Sequence, residues 1–313
     1  MYSSFATFEN VSDLLKRTFN ISVSEYFVKE TAEEIGSLCF QNELEEAEDL
    51  NKLRKEIALN PPEPNELCYT MIDGSMINTT KGWKENKLGL IFSGKDAIEH
   101  KNEKDEVERI SIEKKHLVTS LGRGTEDFKK RFHKELYKSG LIVSDKFVSI
   151  IDGAPWIENI INEILPGSTI ILDWYHASEK IWGCGKQLYG EGTEKTEKWV
   201  TEKKDLLWNG KVKIFFSSLL KDIKKNKNQT PLIETYNYFK VREHMIQYQK
   251  FKKKKFFVGS GAIESANKYA IQSRLKQAGM RWADRGANAI AKLKTIYFSN
   301  KWDTLWDLAI PTF

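Results

Sequence analysis

The chain has 313 residues with 49 basic and 44 acidic side chains, which gives a formal net charge of +5. No apolar stretch approaches the roughly 20 residues that a membrane span needs, and the first residues lack the basic-then-apolar pattern of a secretory signal. Cys39, Cys68 and Cys184 are odd in number and have no metal-ligand spacing. We therefore expect a cytoplasmic protein that has no membrane partner, no disulfides and no cysteine zinc site.

The first 66 residues predict amphipathic helices. Apolar residues recur at helical spacing over residues 11–19 and 26–38, and an acidic stretch follows that ends at Leu59. The sequence NPPEP at residues 60–64 then breaks the chain, because proline bars helix and removes a backbone donor. We therefore predict a boundary there and an acidic, helical N-terminal segment over residues 1–66.

From residue 67 the pattern changes to strands with helices between the later ones. Pro155 at a first helical position opens a predicted helix over 156–165, so the strands on either side of it should be parallel. The predicted strands are residues 67–72, 87–92, 109–112, 147–151 and 169–172. The predicted helices are residues 113–117 and 128–136, the mostly helical, lysine-rich stretch 175–258 with a break at 226–231, and residues 262–278 and 286–298.

Two predicted strands end in an Asp-Gly pair. Asp73 and Asp152 follow short apolar runs that are typical of strands buried on both faces, and the glycine after each acid permits a sharp turn. Ligands of α/β sheets bind at this end of the strands. An ionised carboxylate is costly to bury unless it is paired or binds a metal, so each acid is a candidate Mg²⁺ ligand. Asp-Gly is also a common turn dipeptide, and either pair alone is more typical of a solvated loop.

Three further residues are candidates. Glu264 lies in the first turn of a predicted helix, where the helix dipole favours an acid whatever the protein does. Asp173 ends the last predicted strand, and His176 follows three residues later, on the same face of a helix that begins there. This pair indicates either a structural hydrogen bond that orients the imidazole or a metal site.

The net charge conceals a steep gradient along the chain. Residues 1–66 carry 6 basic and 14 acidic side chains, residues 67–200 carry 20 and 21, and residues 201–313 carry 23 and 9. A basic segment of this kind predicts salt-sensitive binding of DNA or RNA, with a solvated basic face as the alternative. The four lysines at 252–255 also stand between phenylalanines, which can stack on bases.

Four stretches of the chain carry a resemblance to a known family. They are residues 151–157 (IDGAPWI), 172–179 (LDWYHASE), 259–268 (GSGAIESANK) and 274–282 (RLKQAGMRW). They resemble the DDE transposases of the Kra-type insertion-sequence family, which is similar to the wider Mutator-like group. The resemblance covers about residues 67–305.

The resemblance implies an α/β, RNase H-like mixed sheet with a large all-helical insertion before the last catalytic helix, preceded by the N-terminal helical segment. On this basis the first part of the catalytic core is expected over residues 67–177. The basic helical insertion is expected over residues 178–258, and the final helices of the core over residues 259–313.

The resemblance also implies the roles of the site residues. Asp73, Asp152 and Glu264 match the family's first, second and third catalytic acids, which hold Mg²⁺, and Mn²⁺ is expected to substitute for it. Asp173 and His176 match a supporting motif beside the active site.

The implied function is metal-dependent DNA strand cleavage and strand transfer at insertion-sequence ends. Its partners would be double-stranded DNA, as terminal repeats and as target, and further copies of the chain in a dimer or higher oligomer on DNA, which would place it at the nucleoid. The basic residues that we expect to contact DNA are Lys252, Lys253, Lys254, Lys255, Lys268, Arg274, Lys276, Arg281 and Arg285.

Other functions remain open at this point. A non-catalytic DNA-binding remnant of a transposase would keep the basic surface, although the three acids argue against it. An RNase H-like, structure-specific nuclease would share the acids but would cut by substrate shape. A glycosidase with paired carboxylates fits less well, because a basic segment suits a polyanion better than a neutral sugar.

Overall fold

The protein is a mixed α/β chain, as predicted. Its contacts divide it into two compact units, a first unit of residues 1–147 and 261–313 and a second unit of residues 148–260. The predicted break at residues 60–64 falls inside the first unit, and its last residue, Pro64, lies outside the described part of the chain. The computed structural model describes residues 1–63, 66–101, 107–122, 124–226 and 228–306.

The elements follow in chain order. Up to residue 146 they are α1 (Phe8–Phe19), α2 (Glu25–Glu48), α3 (Leu50–Leu59), β1 (Cys68–Thr79), β2 (Gly82–Ser93), β3 (Ala97–Lys101), β4 (Val107–Ile112), β5 (His116–Leu121) and α4 (Glu126–Lys138). Up to residue 260 they are β6 (Phe147–Ile151), α5 (Pro155–Ile164), β7 (Thr169–Leu172), α6 (Trp174–Tyr189), α7 (Glu194–Trp208), α8 (Val212–Lys225), α9 (Thr230–Lys240) and α10 (Tyr248–Lys253). The last elements are α11 (Gly261–Ala266), a π-helical segment (Asn267–Gln272), α12 (Ser273–Leu275) and α13 (Asp284–Phe298).

The sheet of the first unit has the order β5-β2-β1, with both neighbouring pairs antiparallel. β1 and β2 form a hairpin that is paired along its whole length, from Cys68 opposite Ser93 to Thr79 opposite Gly82. Gly82 has φ +92°, a conformation that glycine adopts without steric cost at a tight turn. β3 and β4 form a separate antiparallel ribbon.

The N-terminal helices pack into the core of the first unit. α2 crosses α13 so closely that a Cβ on Gly36 would lie 2.4 Å from the carbonyl oxygen of Ala289. Glu43 of α2 accepts hydrogen bonds from Arg131 Nε of α4 at 2.9 Å and from Lys292 Nζ of α13 at 2.6 Å. Burial alone would raise the pKa of Glu43, but the charges of Arg131 and Lys292 outweigh it and hold that pKa well below its usual range. This buried cluster ties residues 1–66 to the helices on which they pack.

The second unit begins with a strand-helix-strand unit. β6 and β7 are parallel, from Val148 opposite Thr169 to Ile151 opposite Leu172, which confirms the predicted arrangement. Pro155 is the first residue of the connecting α5, a position whose N–H has no helical partner in any case.

The rest of the second unit is helical. A Cβ on Gly185 of α6 would lie 2.8 Å from Val200 Cγ2 of α7, so these two helices pack closely. Phe215 of α8 meets Phe239 of α9 edge to face, with 5.2 Å between ring centroids. Both rings are fully buried, which makes them the centre of this helical core.

Several predicted elements differ from the structure, among them the strand predicted over 87–92, which begins at Gly82. The strand predicted to end at Ile72 continues to Thr79. Residues 116 and 117 of the helix predicted over 113–117 belong instead to β5, which completes the antiparallel ladder beside β2. The helix predicted to end at residue 278 ends at Leu275 and changes to π geometry in its middle.

None of the helices in the described ranges is both long enough and apolar enough to cross a membrane.

Candidate active site

Asp73 lies in the middle of β1, so the predicted strand end and turn at this residue are wrong. The ladder continues past it, with Asp73 opposite Leu88 and the preceding pair, Ile72 and Gly89, on the other face of the sheet. A Cβ on Gly89 would lie 2.4 Å from Phe132 Cδ2, so α4 covers that other face closely. The carboxylate of Asp73 therefore points away from α4.

Asn267 fixes the Asp73 carboxylate. Its Nδ2 donates to Asp73 Oδ2 at 2.7 Å, and its Oδ1 accepts from Ser75 Oγ at 3.0 Å. Asp73 Oδ1 also accepts from the backbone N–H of Gly74 at 2.8 Å. Because Asn267 is only 1% exposed, this use of both ends of its amide satisfies a group that would be costly to leave unpaired.

Glu264 is close in sequence to Asn267 and lies on the adjoining helix. It is the fourth residue of α11, as predicted, and is half-buried. A spacing of three residues places two helical side chains on neighbouring positions of one face. α11 packs on β1 and β2, and the π-helical segment that starts at Asn267 is of a kind often found at functional sites. The first unit thus holds two of the three predicted acids, with Asn267 joining the strand of one to the helix of the other.

Asp152 lies directly after β6, as predicted, and is half-buried. Its Oδ1 accepts from the backbone N–H of Ala154 at 2.7 Å, which closes an Asx turn, and Gly153 between them has φ +89°. In the described residues, Oδ2 of Asp152 takes part in no hydrogen bond. The Asx turn therefore needs only Oδ1 and leaves Oδ2 available to a ligand.

Two side chains from the helical part of the second unit hold this turn by its backbone. Tyr238 Oη donates to the carbonyl of Asp152 at 3.2 Å, and Arg242 Nη2 donates to the carbonyl of Gly153 at 2.8 Å. The guanidinium also lies 4.4 Å from the centroid of the Tyr238 ring. Burial raises the pKa of Tyr238, which keeps its hydroxyl a donor. We call Tyr238 and Arg242 the backbone clamp.

Asp173 is held through its carboxylate instead. It is fully buried at the start of α6, where Oδ2 accepts from the backbone N–H of His176 at 2.9 Å and pairs with His176 Nδ1 at 2.8 Å. Oδ1 accepts from the backbone N–H of Ser260 at 2.6 Å. The hydrogen bond to Asp173 raises the pKa of His176 above its ordinary value, against the lowering effect of burial. Three donors on one carboxylate suit a helix cap and an anchor for the imidazole better than a metal ligand.

Arg274 does not suit the phosphate contact predicted for it. It is 1% exposed, its Nε donates to the carbonyl of Ser3 at 3.0 Å, and its guanidinium lies 4.9 Å from the Phe8 ring and 4.8 Å from the Trp282 ring. Burial lowers the pKa of Arg274 to about 10. In the first unit this residue holds the N-terminal segment in place.

The other basic candidates remain at the surface or close to it. Arg281 also donates to the carbonyl of Thr79 at 3.2 Å, and Lys252 Nζ lies 3.5 Å from the centroid of the Trp208 ring. The second unit carries 19 basic and 13 acidic residues, a net charge of +6, against 30 and 31 in the first. The exposed candidates are Lys253, Lys254, Lys255, Lys268, Lys276, Arg281 and Arg285.

Sequence reasoning missed Asn267 and the backbone clamp. Asn267 lies in the stretch 259–268, three residues after Glu264, so its spacing was a usable signal. The clamp residues gave no signal, because Tyr238 is 86 residues from Asp152 and Arg242 is 89 residues from Gly153.

Comparison with protein-family models gives no match for this chain, and comparison with curated proteins gives none either. What the protein does must therefore be inferred from its own residues.

Proposed function

We propose that the protein is a DDE transposase with an RNase H-like core, which cleaves DNA strands at the ends of an insertion sequence and transfers them to target DNA. The observation that carries this proposal is the link through Asn267, which ties Asp73 on its strand to the helix of Glu264. The link is the support expected for a carboxylate that must keep one orientation.

The donor set fits Mg²⁺. Asp73, Asp152 and Glu264 offer only carboxylate oxygens, which are hard ligands, and each residue is half-buried. When bound, a pair of such ions activates the attacking water or 3′-hydroxyl and stabilises the leaving oxygen of an in-line phosphodiester displacement. These three residues would hold the ions, and Mn²⁺ would substitute because it prefers similar ligands.

The chain's own side chains orient these carboxylates. Asn267 holds Asp73 through its side chain, whereas the backbone clamp holds Asp152 through the main chain and leaves Oδ2 available. Asp173 and His176 act beside the site by fixing the start of α6.

Double-stranded DNA is the proposed partner, in a complex that contains two or more copies of the chain. The second unit's net charge of +6 favours phosphate binding there, and exposed lysines release counterions when they pair with phosphates. The exposed Lys268 and Lys276 of the first unit are proposed to add further phosphate contacts. Association with the nucleoid would follow.

The test is cleavage of a labelled duplex that carries the inverted repeats flanking the reading frame. The full chain should nick this duplex in Mg²⁺ or Mn²⁺, and Asp73→Asn, Asp152→Asn and Glu264→Gln should each abolish nicking while duplex binding persists. Asp13→Asn is the matched control, because Asp13 is an exposed acid of the first unit with a side chain 62% exposed.

Each other outcome points elsewhere. Nicking that ignores the repeat sequence and follows substrate shape would favour a structure-specific nuclease. Binding with no nicking in either metal would favour a DNA-binding remnant. Full activity of Glu264→Gln would remove Glu264 from the site.

A further inference from the structure

A groove lined by aromatic rings lies on the second unit, along α6. Its volume is about 680 Å³. Tyr175 is 58% exposed there. Its lining includes Trp174, Tyr175, Glu179 and Trp182 of α6, with Lys186 from the end of that helix and Lys204 from α7.

Two of these rings, Tyr175 and Trp182, share one face of α6 with polar side chains. Tyr175, Glu179, Trp182 and Lys186 recur at spacings of three or four residues, which places them on one face of the helix. The fully packed residues of α6, such as Ile181, lie on another face. On this face Tyr175 is exposed and Trp182 is half-buried, so a ligand in the groove can contact both rings.

Lysines accompany the rings. Lys204 Nζ lies 5.7 Å from the Trp174 ring, and Trp174 lies 4.7 Å from Trp208. Lys252 Nζ lies 3.5 Å from the centroid of the Trp208 ring, and the exposed lysines 253–255 follow in the chain. Two adjacent indoles thus stand between two ammonium groups, a pattern that suits a ligand with both negative charge and flat faces.

We propose that this groove binds unpaired nucleotides of single-stranded DNA, with bases stacked on Tyr175 and Trp182 and phosphates paired with Lys204 and Lys186. Duplex DNA does not fit this role, because its base faces are already stacked on one another. The inference rests on the proposed function, which supplies DNA as the substrate and strand cleavage as the source of unpaired ends.

Acids in and beside the groove limit its charge. Glu179 lines it, and Lys186 Nζ pairs with Glu191 at 2.5 Å, so a phosphate must displace that partner. Stacking must therefore supply most of the affinity. We expect binding in the groove to depend on salt less steeply than duplex binding does.

The experiment uses the full chain in Ca²⁺, which should bind without supporting cleavage. Anisotropy of a labelled oligothymidylate and of a labelled blunt duplex of equal length gives the two affinities. Trp182→Leu and Tyr175→Leu should each weaken single-strand binding about tenfold and leave duplex binding unchanged. Trp182→Phe should retain most of the affinity because it keeps an aromatic face. The control is Trp83→Leu, since Trp83 is 64% exposed on the β1–β2 hairpin of the first unit.

Equal losses on single strand and duplex, or no loss in either, would overturn the inference. Should Trp182→Leu fail to fold, the more exposed Tyr175 decides the outcome. Cleavage of the duplex that carries the inverted repeats is measured in Mg²⁺ for the same variants. Cleavage without single-strand binding would reject the groove as a binding site and leave the proposed function standing. Groove-dependent binding of single strands without cleavage would support the groove and reject the proposed function.

Discussion

Asp152 and Asp173 end two neighbouring parallel strands of the second unit, yet the protein holds them in opposite ways. Asp173 is fully buried and receives three donors on its carboxylate. Asp152 is half-buried, and its main partners bind the backbone of its turn. Both carboxylate oxygens of Asp173 accept hydrogen bonds within the fold, whereas Asp152, within the described ranges, uses only Oδ1 in this way.

The comparison shows that an acid at a strand end carries no role by itself. Both residues follow an apolar strand, and both precede a helix. What separates them is contributed by distant segments, Ser260 for Asp173 and the backbone clamp for Asp152. Asp173 should therefore matter most for stability, and Asp152 for chemistry.

The largest expected effect is on cleavage by Asp152→Asn. The amide keeps the shape but loses the charge that the metal needs, so single-turnover cleavage should fall at least about a thousandfold, equivalent to about 4 kcal/mol. Asp173→Asn should retain measurable cleavage if it folds. The reverse ranking of the two variants would exchange the roles of the two acids.

The next effect is on stability. Asp173→Ala removes a helix cap and leaves buried N–H groups unpaired, so urea denaturation should show a loss of about 3 kcal/mol. Asp152→Ala loses only the bond to the Ala154 N–H and should cost about 1 kcal/mol. Equal losses for the two variants would contradict the difference in how they are held.

A smaller effect tests the backbone clamp. Tyr238→Phe removes the hydrogen bond to the Asp152 carbonyl, a net loss of about 1 kcal/mol. We expect cleavage to fall several-fold at low Mg²⁺ and to recover at high Mg²⁺, because the turn is less well ordered while its ligand is intact. Tyr236→Phe on the same helix is the matched control. A loss that no Mg²⁺ concentration restores would mean that Tyr238 acts in another way.

The smallest effect is a pH dependence at Asp173. The hydrogen bond from His176 to the Asp173 carboxylate raises the pKa of His176, and the charges of Asp173 and Asp152 contribute less. The protonated imidazole therefore stabilises the fold. That contribution is fully present below the ordinary value of 6.5 and is lost as the pH rises through the higher folded pKa. The stability advantage of the protein over His176→Gln should therefore shrink as the pH rises above 6.5. A stability advantage that stays constant over this range would contradict the pairing of His176 with Asp173.

The sequence was most informative where local patterns decide the structure. β6, α5 and β7 were predicted almost to the residue, because short apolar runs are bounded by Asp-Gly, Pro155 and a Pro-Gly pair. Asp73 was misjudged as a strand end, since Asp-Gly is as typical of a turn there as at Asp152. Only pairing with β2 along the whole hairpin overrides that local preference.

The site shows the same division. The spacing of Asp173 and His176 indicated either a hydrogen bond or a metal site, and the structure contains the hydrogen bond. Arg274 was predicted to contact phosphate. Its burial depends on Ser3 and Phe8, which lie at the far end of the chain, so the sequence around Arg274 did not indicate it. Contacts of this length leave no periodic trace in a single sequence.

The insertion of residues 148–260 into the first unit sets an order of folding during synthesis. The ribosome completes the second unit before it has made α13, so that unit can fold while the first still lacks a helix. Until α13 is made, Gly36 lacks the helix on which it packs. Glu43 likewise lacks its partner Lys292, which lies 249 residues later in the chain. The first unit, whose synthesis begins first, is thus the last to complete its folding. Contacts between residues so far apart in the chain form slowly.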